Sequence, residues 1–413
     1  MAPNPFPDGH ASVRRPPPPD PSADLRGTSR LVVDAIVGVT DVVEAMHRTI
    51  SGLAPIVGPV PQERTTGITG LVYRSVRGLS RMVGGQLDAA LRQLAPLPSP
   101  LPDEDREVVV AALNGILGTH LVDENNPLAI PMQLRTSGHP LPLRRDAIGN
   151  AIASPRSKLL VLVHGLCMSD RGWSRDGHNH GSSLARALGY TPLSLRYNSG
   201  RSIPANGRRF ADLLETLIQE WPVPVRELVL IGHSMGGLVA RSACHYARLA
   251  DHAWPRRLNK LVFLGTPHHG SPLEHVGSWV DVLASISPYT APLARIGKIR
   301  SDGIKNLRYG TIVDNLGDGE TSANVRAPQP SVPLPEDTEC FAIAATMSPD
   351  APPSGLKWDG LVPVKSALGR HTDPTQSLSI PPSHQQIVHE LTHFDLLSSH
   401  TVYDHLHRWL STP

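Results

Sequence analysis

The segment 232–236 (GHSMG) holds the residues best suited to chemistry in this sequence. It directly follows the apolar run 227–231 (ELVLI), which is typical of a buried strand, and it precedes a pattern typical of an amphipathic helix. A serine on a sharp turn between a strand and a helix exposes its hydroxyl, and Gly232 and Gly236 leave room for that turn. We therefore interpret Ser234 as a nucleophile, and an inert glycine-rich turn is the alternative.

A serine that attacks a carbonyl carbon needs hydrogen-bond donors for the negative charge that develops on the oxygen. The backbone N–H of Met235 lies at the predicted start of the helix, where the helix dipole also favours negative charge. His164 and Gly165 follow the apolar run 158–163 (KLLVLV), and a turn there would aim the N–H of Leu166 at the serine. An ordinary turn at the end of a strand is the alternative for His164 and Gly165.

An aspartate that orients the base is expected between the serine and the histidine along the chain. Asp359 in 358–363 (WDGLVP) is the best placed, because it lies beyond the apolar run 340–345 (CFAIAA). A turn formed by Asp359 and Gly360 is the alternative interpretation. The rival acids are Asp337, Asp350 and Asp373.

The base has to be chosen among 20 histidines. His393 follows a candidate last strand at 386–388 and precedes a closing helix, so it would lie on a loop at the carboxyl edge of the sheet. That edge is where ligands bind in open α/β sheets, and His393 is therefore our candidate. The rivals are His384 and His389, which come before this loop, and His400, His405 and His407, which fall inside the helix.

Short apolar runs alternate with helical patterns from about residue 128 onward. The runs are nearly continuous, as is typical of strands buried on both faces of a parallel sheet. This rhythm predicts an α/β fold with a mainly parallel sheet flanked by helices. The predicted strands are 131–136, 158–163, 192–197, 227–231, 260–264, 340–345 and 386–388, and the predicted helices are 181–188, 206–221 and 235–250.

Composition divides the rest of the chain. Prolines dominate its start, and two apolar stripes at helical spacing follow, the second weakened by glycines. The gap between runs 260–264 and 340–345 is too long for a simple crossover, so we expect a lid-like insertion over an apolar acyl pocket, with a merely structural insertion as the alternative. The predicted segments are a disordered Pro-rich tail (1–27), a helical region (28–94), a Pro-rich linker (95–103), a helix leading into the core (104–127) and the α/β domain (128–413) with its insertion at about 271–335.

The overall composition excludes several classes of protein. With 39 basic and 37 acidic residues the net charge is +2, which gives no electrostatic basis for binding nucleic acid. Three cysteines cannot all pair with one another, so a disulfide scaffold is excluded and buried, reduced thiols are expected. We find no signal-peptide core and no apolar run long enough to span a membrane. A cytoplasmic protein is therefore expected, with export by another route as the alternative, and the sequence does not indicate an oligomeric state.

Five segments stand in an order that resembles one known superfamily. They are VLVHGL, GHSMGGLVAR, LVFLGTPHHGS, DGLVP and THFDLL. They are similar to segments of the α/β-hydrolase superfamily, and within it to lipases and esterases, including bacterial lipases and the inositol-deacylase-like group. The resemblance covers about residues 155–413 and leaves residues 1–127 unmatched. It implies Ser234 as nucleophile, Asp359 as acid, His393 as base, and the N–H groups of Leu166 and Met235 as oxyanion donors.

Together, the residues and the resemblance predict a serine carboxylic-ester hydrolase, that is, an esterase or lipase. It would act on an apolar acyl ester through a Ser-His-Asp triad and an acyl-enzyme. The alternatives are an acyltransferase, thioesterase or polyester depolymerase with the same triad, or a non-catalytic binding protein on the same fold. The helical region 28–94 is a candidate for peripheral contact with a lipid or polymer surface.

This chemistry needs no cofactor, and no metal site is predicted. Asp395, two residues beyond His393, gives a weak indication of calcium, because some bacterial lipases bind calcium through an aspartate just after the base; no second ligand is identifiable. The segment 266–270 (TPHHG) is interpreted as a structural turn, since no carboxylate stands at a ligand spacing. His178 and His180 are expected in a solvated loop.

Overall fold

The computed structural model describes residues 103–271, 301–314, 332–349 and 358–412. The predicted tail, the helical region 28–94 and nearly all of the linker lie outside the described residues, as does most of the insertion predicted at 271–335. Within the described part, residues 104–120 and 130–412 belong to one compact unit, which contains the sheet and the candidate site.

Eight strands of the described residues form a single sheet. In chain order they are β1 (Gln133–Thr136), β2 (His139–Pro140), β3 (Lys158–Val163), β4 (Thr191–Arg196), β5 (Glu227–His233), β6 (Leu258–Leu264), β7 (Glu339–Thr346) and β8 (Gln385–His389). Their order across the sheet is β2-β1-β4-β3-β5-β6-β7-β8. β1 pairs antiparallel with both of its neighbours, and every other pair is parallel. The predicted mainly parallel sheet is confirmed, and the ends of the predicted strands differ from the observed ones by at most two residues.

Helices cover both faces of this sheet, as predicted. They are α1 (Asp103–Asp123), α2 (Arg145–Ala151), α3 (His180–Leu188), α4 (Ile203–Glu220), α5 (Met235–Leu249), α6 (Asp302–Tyr309), α7 (Val364–Ala367) and α8 (His400–Ser411). α3 and α8 pack in one layer with Leu160 and Leu162 of β3. Leu159 and Val161 of the same strand face the opposite layer, where α4 packs against α5. All four side chains are buried, which explains why β3 is a continuous apolar run in the sequence.

Helix α1 is fixed to the sheet by a buried cluster of charges. The carboxylate of Glu107 accepts hydrogen bonds from Arg135 at 3.2 Å, from Arg196 at 2.7 Å and from Arg171. Arg135 also bonds to Asp170 at 2.9 Å, which links the strand, the helix and the loop after β3. Burial by itself would raise the pKa of Glu107, but the arginines outweigh it and lower that pKa to about 2.

The same helix approaches two loops so closely that only glycine fits. A Cβ atom added to Gly115 would lie 2.3 Å from the sulfur of Cys167, and one added to Gly118 would lie 2.0 Å from the side-chain oxygen of Asn198. The Ser301 hydroxyl donates to the Gly115 carbonyl at 2.6 Å. Helix α1 therefore packs tightly against the loops that follow β3 and β4 at the carboxyl edge of the sheet.

Cys167, Cys244 and Cys340 are all buried free thiols, as expected. Within the described ranges, no helix combines the length and the apolar character that crossing a membrane requires.

Candidate active site

The candidate nucleophile lies on a strained turn between β5 and α5. Ser234 has φ 53° and ψ −125°, a conformation that residues with a side chain seldom adopt. A Cβ atom added to Gly232 would lie 2.5 Å from the Cα of Gly237, and one added to Gly236 would lie 2.2 Å from the carbonyl oxygen of Val163. Since no side chain fits at either position, the segment takes the sharp turn for which its glycines are suited.

Two backbone N–H groups beside this turn have no acceptor among the residues that the structure describes. A Cβ atom added to Gly165 would lie 3.1 Å from the Cβ of Ser234, so the turn after β3 passes directly beside the serine. Among the residues that the structure describes, the N–H groups of Leu166 and Met235 donate to no backbone carbonyl. Both are therefore free to donate to an oxygen atom bound next to Ser234.

His164 supports the turn that carries Leu166. Its ring stacks on Tyr197 with 4.3 Å between the ring centroids, and its Nδ1–H donates to the Gly165 carbonyl at 2.9 Å. The Tyr197 hydroxyl in turn donates to the His164 carbonyl at 2.8 Å. Burial lowers the pKa of His164 to about 4, so the ring is neutral near pH 7. Tyr197 was not predicted as a site residue. It follows β4 whereas the turn follows β3, and the sequence does not show that these two strand ends meet.

Asp359 and His393 form a buried pair. The Nδ1–H of His393 donates to Asp359 Oδ2 at 2.7 Å, and the His393 backbone N–H donates to the Asp359 carbonyl at 2.9 Å. The other carboxylate oxygen, Oδ1, accepts from the backbone N–H groups of Leu361 at 3.0 Å and Val362 at 2.7 Å. With one carboxylate oxygen held by the backbone and the other by the ring, the proton stays on Nδ1 and the lone pair stays on Nε2.

Ser234 and His393 line the same cleft, but no hydrogen bond joins the Ser234 hydroxyl to the His393 ring. Such a contact often tightens only when substrate binds. The other residues along the described part of the cleft are mostly apolar: Gly165, Leu166, Met168, His233, Pro267, Ser271, Leu307, Leu361, Val362 and Phe394. The cleft can thus hold an apolar group next to a hydroxyl and an imidazole.

The rival acids and bases lie elsewhere. Asp337 is exposed in a turn before β7, Asp373 caps a short turn by accepting from Thr375, and Asp350 lies outside the described residues. His384 bonds to the Cys340 carbonyl at 3.2 Å and His389 ends β8, while the remaining three rivals are within α8. None of the rivals that the structure describes lines the cleft with Ser234.

The family comparison agrees with this architecture. Residues 205–346 match the model of the PGAP1-like alpha/beta domain, a stretch that contains the turn at Ser234 and strands β5 to β7. The mainly parallel sheet, the strand–turn–helix at Ser234 and this match agree on one fold. The chain has the α/β-hydrolase fold.

Several solved structures are similar to this chain. Bacillus licheniformis lipase BlEst2 in mature form is 22% identical, with 63% of this chain and 95% of that chain covered and a TM-score of 0.41. The Pyrobaculum calidifontis esterase is 14% identical, with coverage of 76% and 94% and a TM-score of 0.40. The RedJ thioesterase of Streptomyces coelicolor is 16% identical, with coverage of 67% and 96% and a TM-score of 0.36. A comparison with curated proteins finds no match.

The expectation that His178 and His180 lie in a solvated loop is wrong for His180. The ring of His180 is completely buried at the start of α3, and its Nε2–H donates to the Leu396 carbonyl at 3.0 Å. Its Nδ1 accepts from His178 Nε2 at 2.9 Å. Burial, helped by His178 and His400, lowers the pKa of His180 to about 4. His180 therefore anchors the segment that follows His393, a role that spacing could not reveal.

No metal site is apparent in the part of the chain that the structure describes, where no three His, Cys, Asp or Glu side chains are arranged to hold an ion. One carboxylate oxygen of Asp395 accepts from the N–H of Thr392 at 2.8 Å and from its hydroxyl at 2.6 Å. Asp395 thus has a structural role in the loop that carries His393, and calcium stays a prediction.

A larger cavity of about 700 Å³ adjoins the cleft. The two share Met168 and Phe394, and the larger one is polar, with Arg135, Arg171 and Arg175 among its lining residues. A polar space thus lies beside the apolar cleft.

Proposed function

We propose that this chain hydrolyses carboxylic esters with Ser234 as the nucleophile. The observation that carries the proposal is the combination of a strained serine on a strand–helix turn with a buried Asp359–His393 pair lining the same cleft. Strain of this kind costs about 1–3 kcal/mol, and a protein that only binds a ligand has no use for it. Fold by itself would not support this function.

The residues have distinct roles in the proposed reaction. His393 Nε2 takes the proton of the Ser234 hydroxyl while the serine oxygen attacks the ester carbonyl carbon. The N–H groups of Leu166 and Met235 bind the resulting oxyanion. When the tetrahedral intermediate collapses, the bond to the alcohol oxygen breaks, and the alcohol leaves with the proton from His393. Water then repeats the sequence, releases the acid and restores the free serine.

The cleft supports an apolar acyl group as the part of the substrate nearest the serine. Leu166, Met168, Leu307 and Val362 offer it only hydrocarbon and thioether surface. A different acceptor or donor would turn the same acyl-enzyme chemistry into acyl transfer, thioester hydrolysis or polyester cleavage. Contact of residues 28–94 with a lipid or polymer surface is part of the proposal only if the substrate is a lipid or a polyester.

The test is hydrolysis of p-nitrophenyl acetate, butyrate and octanoate by the full chain. We expect Ser234→Ala to abolish turnover and labelling by a fluorophosphonate, which reacts with activated serines. Ser411→Ala, which changes an exposed serine at the end of α8, is the matched control and should leave both unchanged. Absence of turnover in the wild-type protein on esters and thioesters, or activity retained by Ser234→Ala, would refute the proposal.

A further inference from the structure

His233, the residue before the candidate nucleophile, is tied to the candidate base. Its Nε2 lies 3.1 Å from the backbone carbonyl oxygen of His393, and the two ring centroids are 4.7 Å apart. A carbonyl oxygen can only accept, so Nε2 carries the proton. The ring of His233 is completely buried, with Trp173 and Phe394 at its edges.

The electrostatic state of His233 fits such a neutral donor. Burial, reinforced by the neighbouring His393 ring, holds the pKa of His233 well below its usual range. Its Nδ1 is buried without a hydrogen-bond partner and lies 3.2 Å from where a Cβ atom on Gly165 would be. A neutral ring here adds no positive charge beside His393, which must itself become positive when it takes the serine proton.

Among the residues that the structure describes, three hydrogen bonds thus hold His393, and they come from two directions. Asp359 binds its ring at 2.7 Å and its backbone N–H at 2.9 Å, both from the loop after β7. Only His233 reaches it from β5, the strand that carries the nucleophile. Because Asp359 follows β7 and Ser234 follows β5, the bonds from Asp359 fix the orientation of the base but not its distance from the serine.

On the basis of the proposed function, we propose that His233 is a positioning residue that sets the distance between the His393 ring and the Ser234 hydroxyl through its Nε2–H···O=C bond. It takes no part in proton transfer. Loss of the bond would let the histidine loop shift relative to β5, and a displacement of about 1 Å in such a site can cost roughly a hundredfold in rate.

The test compares His233→Gln with His233→Asn in the full chain. A glutamine carries an amide N–H at nearly the reach of Nε2, whereas the shorter asparagine does not reach the His393 carbonyl. We expect His233→Asn to lower kcat on p-nitrophenyl butyrate about 30- to 100-fold with KM changed less than about threefold. His233→Gln should stay within about fivefold of wild type. His384→Ala is the control, because it removes the bond of another histidine, through its Nδ1, to the Cys340 backbone carbonyl, and its kcat should not change.

Rates are expressed per serine that reacts with the fluorophosphonate, so that unfolded protein does not count. Equal kcat for the Gln and Asn variants, or a loss of less than about threefold in Asn, would overturn the proposal. Nitrogen-15 NMR of histidine-labelled wild type gives a second readout that needs no variant: His233 should carry its proton on Nε2, and a proton on Nδ1 would overturn the proposal. An inactive wild type would instead refute ester hydrolysis itself.

Discussion

Replacing Asp359 by asparagine should invert the tautomer of His393 with little change in shape. The Asn oxygen can keep the bonds from the N–H groups of Leu361 at 3.0 Å and Val362 at 2.7 Å. The amide NH₂ then faces the His393 ring where the carboxylate oxygen stood 2.7 Å away. Two donors cannot face each other, so Nδ1 has to offer its lone pair and the proton moves to Nε2. A protonated Nε2 cannot accept the proton of Ser234.

The expected loss can be bounded from this geometry. Both side chains are nearly inaccessible, with Asp359 2% and His393 3% exposed, so water cannot substitute for the carboxylate. The wrong tautomer and the missing charge together should lower kcat about 10³- to 10⁴-fold, as expected for the orienting acid of a serine triad. Each factor of ten corresponds to about 1.4 kcal/mol, so the barrier rises by about 4 to 5.5 kcal/mol.

The assay is kcat and KM on p-nitrophenyl butyrate, together with the thermal midpoint of the variant. Asp373→Asn is the matched control, since Asp373 also accepts a backbone N–H, that of Thr375 at 2.9 Å, but is exposed and away from the cleft. It should keep wild-type activity. A folded Asp359→Asn variant that loses less than about tenfold in kcat would show that the carboxylate does not orient the base.

Two further predictions concern stability. Glu107→Gln removes the carboxylate charge that Arg135, Arg171 and Arg196 share and should lower the free energy of unfolding by about 3 kcal/mol in urea titrations. Asp146→Asn, which breaks the exposed pair with Arg144, should change it by less than about 0.5 kcal/mol, and equal losses would contradict the argument. His164 and His180 keep pKa values of about 4 in the fold against 6.5 unfolded, so the unfolded chain binds more protons below pH 6.5. The free energy of unfolding is therefore unaffected by these two groups above pH 6.5, and it falls by about 3 kcal/mol for each of them as the pH drops toward 4. Urea midpoints that stay constant across this pH range would refute the prediction.

The strands were predictable because burial on both faces leaves a local mark in the sequence. Lys158–Val163 and Glu227–His233 are continuous apolar runs, and the sheet places them side by side at its centre. By contrast, β2 and α2 leave no such mark: β2 is two exposed residues, and α2 buries only Ile148. Short polar elements are positioned by the rest of the fold, so their own residues do not predict them.

The candidate site divides in the same way. The residue types of Ser234 and its neighbouring glycines by themselves predict a turn, because only glycine tolerates the contacts at 232 and 236. The positions of His180 and His233 depend on carbonyl groups far along the chain, at Leu396 and His393. A histidine that donates to a distant carbonyl looks in sequence like any other histidine, and 20 of them are present.

The two halves of the site are also held in physically different ways. Ser234 is fixed by backbone: its N–H donates to the Leu264 carbonyl at 2.8 Å, and its turn rests against β3. His393 lies on a loop that is held in large part by side chains: Asp359 binds its ring, His233 binds its carbonyl, and His180 binds the carbonyl of Leu396. The backbone bond from the His393 N–H to the Asp359 carbonyl at 2.9 Å adds to them. Side-chain anchors are individually weak, about 0.5–1.5 kcal/mol each when neutral, whereas the strained serine turn needs the cooperative sheet to persist. The base is therefore the half of the site whose position can adjust. No hydrogen bond joins the Ser234 hydroxyl to the His393 ring, and this gap falls between the two halves.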